Sequence, residues 1–334
     1  MFEVGYYAPQ EQYAPNKLLE HAVLAEKYGF DAIWTSDHFH PWAHTNAQCG
    51  FAWVWLAAVA ERTERVKVGT GVTVPILRYN PAIVAQAFAT LAAMHPGRVF
   101  LGLGTGEALN EMPVGCDWPS YGERRARLEE AIRIIRALWT RPFVNFRGKY
   151  YRLRKANLYT KPTKPIPIYV AAAGPKSAEL AGKYADGIIT TPATPEFYDE
   201  ILFKAVERGA KAKKRDPSSV EKLLEFMVSY DEDYERAVNA CKFWAATCVP
   251  IFFKYGISDP REIEQTGNLV GLEGLKTQWF ISTDLDDHIK EIEKYVKLGF
   301  KNIHVQSTSP DEKKFIRAYG EKVLPYLKGA YRDL

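Results

Sequence analysis

Short apolar runs alternate with longer amphipathic stretches along this whole sequence, and few folds satisfy that alternation. Residues 2–8 read as a strand, and 16–28 as a helix with Leu18, Leu19, Ala22, Val23 and Ala25 at helical spacing. Gly29 then stops that helix. Strand patterns recur at 31–35, 66–69, 98–102, 166–171, 187–191, 224–229 and 302–306. Helical patterns lie between them at 51–62, 81–94 and 122–139, the last carrying Leu128, Ala131, Ile132, Ile135 and Leu138 on one face. Repeated strand-then-helix units predict a parallel sheet. Eight such strands close a (β/α)8 TIM barrel, and 334 residues is a length that one such domain, here 1–334, spans.

Two segments break the rhythm and are expected to be insertions in βα loops. Residues 143–153, with Arg147-Gly148-Lys149 at the tip, predict a hairpin. Residues 242–279 show no strand pattern and predict a helical excursion over the barrel mouth. In such barrels chemistry collects at the C-terminal ends of the strands. The informative stretches are therefore 7–13, 36–42, 71–75, 104–110, 172–176 and 190–194.

Charge and cysteine content narrow the function classes. A net charge of +4, with Lys and Arg dispersed, shows no basic stripe for nucleic acid. The four cysteines have neither metal-ligand nor redox-pair spacing, which predicts buried, reduced thiols and a cytoplasmic protein. The chain opens directly on a strand pattern, not on a charged and then apolar leader. Its most apolar stretch, 51–60, is too short to cross a bilayer, so no membrane partner is expected.

After the second strand comes Ser36-Asp37-His38-Phe39-His40-Pro41-Trp42. A histidine titrates near neutrality and suits removal of a proton from an alcohol; a packed or solvated loop is the plainer reading of the same residues. His38-x-His40 also has metal-pair spacing, but the later strand ends lack the further ligands a metal needs. After the fourth strand, Gly102-Leu103-Gly104-Thr105-Gly106-Glu107 lets a flat ring approach the backbone without forming a dinucleotide fingerprint. Glu107 is either a cap at a helix start or a proton partner for such a ring. Ala172-Ala173-Gly174-Pro175-Lys176 leaves helix N-terminal amides that suit a phosphate, or is tight packing. Trp42, Trp53, Trp55 and Trp244 read as core, with Trp42 and Trp244 placed to line a pocket.

Taken together with Arg78-Tyr79-Asn80-Pro81-Ala82, Ala85-Gln86-Ala87-Phe88-Ala89-Thr90, Gly104-Thr105-Gly106-Glu107-Ala108-Leu109-Asn110-Glu111 and Phe243-Trp244-Ala245, these runs resemble the deazaflavin-dependent branch of the bacterial luciferase-like superfamily. The similarity covers essentially the whole chain and is strongest to its F420-dependent secondary alcohol and glucose-6-phosphate dehydrogenases. The resemblance implies a homodimeric barrel that binds coenzyme F420. Residues matching the cofactor contacts are Asp37, Gly71, Val72, Val74, Gly106, Glu107, Asn110, Ala172, Ala173 and Gly174, with a cis peptide between Gly71 and Val72. His38 matches the base, Trp42 the residue that stabilises the intermediate, Glu107 the acid toward the ring, and Glu11 a further pocket carboxylate. Thr191, Trp244, Lys254, Thr194 and Gln278 match substrate positions.

The departure lies in the substrate positions. The sugar-phosphate enzymes hold phosphate with two lysines and one arginine. Here Lys254 remains, while Thr194 and Gln278 stand at the other two positions and offer no charge-assisted hydrogen bond. The expected activity is hydride transfer between a small secondary alcohol or its ketone and the deazaflavin. Sugar-phosphate oxidation is the alternative that Lys254 supports. An FMN-dependent monooxygenase is the alternative from another class, opposed by the Glu107–Asn110 run. A barrel that only binds cofactor is opposed by the intact His38, Trp42 and Glu107 set.

Overall fold

The computed structural model describes residues 2–332; Met1, Asp333 and Leu334 lie outside the described residues. Its strands are β1 (Glu3–Ala8), β2 (Ala32–Thr35), β3 (Lys67–Thr73), β4 (Val99–Leu103), β5 (Val144–Arg147), β6 (Arg152–Ala156), β7 (Ile168–Ala171), β8 (Gly187–Thr190), β9 (Glu221–Tyr230), β10 (Phe280–Ser282) and β11 (Asn302–Ser307). β1, β2, β3, β4, β7, β8, β9 and β11 are parallel strands separated by helices, the complement of a (β/α)8 barrel.

The chain divides into two compact units. One comprises the residues up to Val66, Glu107–Pro113 and the residues from Lys222 onward. Within it the strands run in the order β10-β9-β11-β1-β2, all parallel, with Gly5 opposite both His304 and Ala32. Helix Pro15–Lys27 follows β1 because Leu18, Ala22 and Ala25 make one buried stripe. Gly29, at φ +92°, takes the left-handed conformation that turns the chain into β2.

The same unit holds the excursion at 242–279. It is helical, built from Lys242–Cys248, Ile251–Lys254, Pro260–Gly267 and Leu272–Leu275. Each piece is too short to be stable alone. Together they enclose a small core of Trp244, Phe252, Ile263, Leu275 and Trp279, into which Trp42 also packs. Burying such side chains is worth about 1.5–3 kcal/mol each.

The other unit comprises Lys67–Gly106 and Val114–Glu221, with strand order β3-β4-β7-β8. Helix Pro81–Met94 starts at Asn80, whose side-chain oxygen accepts from the Ala82 amide at 2.9 Å, with proline at the first helical position. β5 and β6 pair antiparallel, and the Glu130 carboxylate ties down the turn by accepting from the amides of Lys149, Tyr150 and Tyr151. Helices Pro175–Tyr184 and Phe203–Ala212 touch backbone to backbone. A Cβ at Gly182 would lie 2.2 Å from the Val206 carbonyl oxygen, so glycine is required there.

Several expectations need adjustment. β3 runs on to Thr73, because a bulge between Thr70 and Thr73 carries the strand through the glycines that read as its end. β10 was not foreseen; three residues are too few to show alternation, and it exists by pairing Phe280 with Val228. Of the thiols expected to be buried only Cys241 is; Cys49, Cys116 and Cys248 are half-buried, and all four are free. No helix among the described residues is long and apolar enough to cross a membrane.

Candidate active site

Residues at the ends of β1 and β2, and at 107–111 in the same unit, converge on His38. Its Nε2 lies 3.3 Å from Oε2 of Glu107 and its Nδ1 3.4 Å from Oε1 of Glu11. Nδ1 also faces the His40 carbonyl oxygen at 3.1 Å. Glu11 is buried, 1% exposed, and accepts from the Ser36 hydroxyl at 2.5 Å; Glu107 stays partly open. The imidazole therefore bridges one enclosed and one accessible carboxylate, an arrangement that can accept a proton on one side while the other side is held.

The loop that carries His38 is fastened from several directions. Asn110 accepts from the Phe39 amide at 2.8 Å and the His40 amide at 3.3 Å, and its Nδ2 donates to Glu107 at 3.2 Å. One side chain thus sets both the histidine loop and the accessible carboxylate. Trp53 donates its indole hydrogen to buried Asp37 at 3.2 Å. The rings of His38 and Trp42 stand 6.1 Å apart, and Trp42 packs 5.0 Å from Phe253. His40 meets the Ser258 carbonyl at 3.2 Å, and Thr45 donates twice to Glu264, so the helical excursion is latched to the same loop. Glu107 precedes the turn Ala108–Glu111 but makes no side-chain cap; the carboxylate faces His38 and Asn110 instead, which sets aside the capping role.

Gln10 and Glu225 were not singled out from the sequence, and Ser36 was read only as part of its motif. Ser36 and Gln10 form part of the buried network behind Glu11. Glu225 lies in β9, and its carboxyl is pushed up to about 8 by desolvation, then by Glu11 and Glu107. The same three acids, after burial itself, keep the Tyr7 hydroxyl well above its ordinary range. An acid between Leu224 and Phe226 inside an apolar strand run was the available signal.

In the second unit the strand ends make a backbone cradle. The Gly71–Val72 peptide is cis, inside the β3 bulge, as expected. A Cβ at Gly104 would lie 2.5 Å from Val72 Cγ2, so only glycine fits beside that side chain. Gly106 sits at φ +83°. Arg124 pins this loop by donating to the Thr105 carbonyl at 3.2 Å, its guanidinium lying 3.8 Å over the Trp118 ring. Val74 and Ala172 are buried, while Ala173 is open. Gly174 precedes helix Pro175–Tyr184 with no side-chain cap, and a Cβ there would meet nothing. The glycine is not serving packing, and the uncapped first turn suits an anion. A flat ring with an anionic tail fits the chemistry of this cradle.

The expected substrate positions are dispersed in character. Trp244 is buried and donates to Gln12 at 3.1 Å. Lys254 is exposed and lies over the Tyr255 ring. Thr191 is exposed, and Thr194 accepts from the Phe197 amide at 3.3 Å. Gln278 spends its side-chain amide on Thr247, accepting from the hydroxyl at 2.9 Å and donating to the carbonyl at 2.7 Å. It is therefore tied into the excursion's own framework.

The parallel α/β chain thus carries a histidine between carboxylates in one unit and, in the other, a glycine cradle suited to a flat ring. This chain belongs to the luciferase-like monooxygenase family, whose profile matches residues 2–302, and within it to the F420-dependent dehydrogenases. It is 43% identical to the F420-dependent glucose-6-phosphate dehydrogenase of Intrasporangium calvum, covering 98% of this chain and 100% of that one. The enzyme of the same description from Nakamurella multipartita is 42% identical over 97% of this chain and 96% of its own length. Among solved structures, an F420-dependent secondary alcohol dehydrogenase in complex with an F420-acetone adduct superposes with a TM-score of 0.93 at 44% identity, covering 96% of this chain and 97% of that one.

Proposed function

We propose that this F420-dependent oxidoreductase interconverts a small secondary alcohol and its ketone. The observation that carries the reading is the uncharged state of the would-be phosphate clamp. Thr194 is a neutral hydroxyl engaged with Phe197, and Gln278 is a neutral amide engaged with Thr247. With neutral residues at those two positions, Lys254 lacks the paired cations that make phosphate binding strong. The solved relative with the F420-acetone adduct agrees in substrate class.

Coenzyme F420, when bound, supplies the hydride acceptor. Residues Gly71, Val72, Val74, Gly106, Ala172, Ala173 and Gly174 would hold it, with Asp37 and Asn110 on the histidine side. His38 accepts the alcohol proton at Nε2, and Glu107 Oε2 beside it takes that proton onward. Trp42 walls the pocket and excludes water from the reacting carbon. Trp244, fixed through Gln12, is the substrate-side aromatic of the histidine's own unit.

A second reading keeps the cofactor and takes glucose 6-phosphate, supported by Lys254 and by the relatives of that description. Oxidised F420, mixed anaerobically with the purified protein and 2-propanol, should lose its visible absorbance, and glucose 6-phosphate should leave it unchanged. Loss with the sugar phosphate alone overturns the alcohol reading. A bound yellow flavin after purification would instead support an FMN monooxygenase. We also infer a homodimer: Phe51 and Val54 on one side of helix Ala52–Arg62 are 46% and 69% exposed, an apolar face suited to a second copy. Light scattering that gives a single-chain mass would remove that inference.

A further inference from the structure

We infer that Ser36, with Tyr7 behind it, is the positioning residue that fixes Glu11 against Nδ1 of His38 and thereby leaves Nε2 as the proton-accepting atom. The inference rests on the reading of His38 as the proton acceptor.

The count of hydrogens around Ser36 leads there. Its one hydroxyl hydrogen goes to Oε2 of Glu11 at 2.5 Å, and its oxygen accepts from the Gln10 amide at 3.0 Å. The Tyr7 hydroxyl also lies within hydrogen-bonding reach of Ser36. Gln10 is held in turn, donating to Thr35 Oγ1 at 2.9 Å, which donates to the Ala8 carbonyl at 2.6 Å. Ser36, Glu11, Gln10 and Thr35 are all 1% exposed or less. A buried hydrogen-bonded chain of this kind favours one geometry, although the Gln10 side-chain oxygen stands in it without a partner.

Its consequence falls on His38. With Oε2 of Glu11 taken by Ser36, Oε1 is the oxygen presented to Nδ1 at 3.4 Å, and the His40 carbonyl faces the same nitrogen at 3.1 Å. Nδ1 thus faces two fixed acceptors and Nε2 one, Glu107 Oε2 at 3.3 Å, so the hydrogen of the neutral ring is held on Nδ1. The titratable groups facing this chain are Glu11 beside β1, Glu107 from the turn 107–111, Glu225 from β9 and Tyr7 within β1.

The test is Ser36→Ala, read in two ways. In cofactor-free protein, nitrogen NMR of His38 should show the Nδ1–H form in the native chain and a mixture in the variant. In turnover, kcat should drop by about 10- to 100-fold with little change in KM. Tyr7→Phe should change the tautomer ratio in the same direction by less. If Ser36→Ala does not fold, Ser36→Cys, with its weaker donor, is judged by the same criteria. A folded variant with an unchanged His38 tautomer overturns the inference, whatever its activity. A shifted His38 in a protein whose native form oxidises no alcohol leaves the positioning intact and removes the alcohol reading.

Discussion

Nε2 of His38 and Oε2 of Glu107 stand 3.3 Å apart, with Glu107 half-open and joined to Asn110. Glu107 keeps part of its carboxylate accessible on the Nε2 side, whereas Glu11 closes the Nδ1 side in a buried network. The two acids therefore have separable tasks, and substitution should separate them.

Removing the imidazole tests the site most directly. His38→Gln keeps approximate volume and a hydrogen-bonding end but cannot take the proton at neutral pH. It should lower kcat/KM by about 10²- to 10⁴-fold, the usual contribution of a positioned general base. Affinity for F420, followed by quenching of its fluorescence, should change only a few-fold. Full turnover in this variant would remove His38 from the chemistry.

The carboxylates should respond differently from each other. Glu107→Gln replaces the carboxylate that faces Nε2, so on the proposed route it should depress kcat over the whole pH range. Glu11→Gln keeps a polar partner for Ser36 but loses one acceptor that faces Nδ1. Its main effect should be a mixed His38 tautomer in nitrogen NMR, with a smaller fall in kcat than Glu107→Gln gives. Equal losses of kcat with an unchanged tautomer would mean that the two acids do not divide their work in this way.

Asn110 holds the Phe39 and His40 amides and Glu107 at once and is only 2% exposed. Asn110→Ala leaves those groups without their partner, at a cost of roughly 1–3 kcal/mol per buried group left unsatisfied. Thermal melting should show that loss, and kcat should fall even though Asn110 takes no proton. Asn110→Asp keeps the acceptor for the amides while placing a second charge beside Glu107. It should recover stability better than activity.

Much of this site was legible because it lies where strand patterns end. The alternation located the eight parallel strands to within a few residues, and the strand ends carried His38, Glu11, Glu107 and the glycines of the cradle. What escaped depended on contacts that periodicity does not carry. β3 continues through Gly71 because a bulge, invisible in a pattern of residue types, absorbs the irregular step. Gln278 read as a substrate position from its place in the sequence, and only the geometry adds that Thr247, thirty-one residues earlier, takes up its amide. Ser36 read as part of a motif, and only the geometry shows that its single hydrogen goes to Glu11. Glu225 announced itself weakly, as one acid in an apolar run, and its influence on Tyr7 follows from which strands lie together.

Stability should depend on pH from both sides, through groups buried in their uncharged forms. His21 and His288, 1% and 0% exposed, are both lowered to about 4, chiefly by burial. The unfolded chain binds their protons near the ordinary value of 6.5, so the fold loses stability as pH falls from there toward 4. Each contributes about 3 kcal/mol at the full extent of that window. Glu312 runs the other way. It accepts from the Tyr6 hydroxyl at 2.9 Å, and burial pushes it up to about 8. Unfolded, it gives up its proton near 4.5, so its contribution to stability shrinks as pH rises from there through 8. Urea midpoints measured from pH 4 to pH 9 should therefore decline at both ends. Glu312→Gln, neutral at every pH, should lessen the alkaline decline and leave the acid one in place. An alkaline limb as steep in that variant as in the native chain would show that Glu312 is not the group responsible.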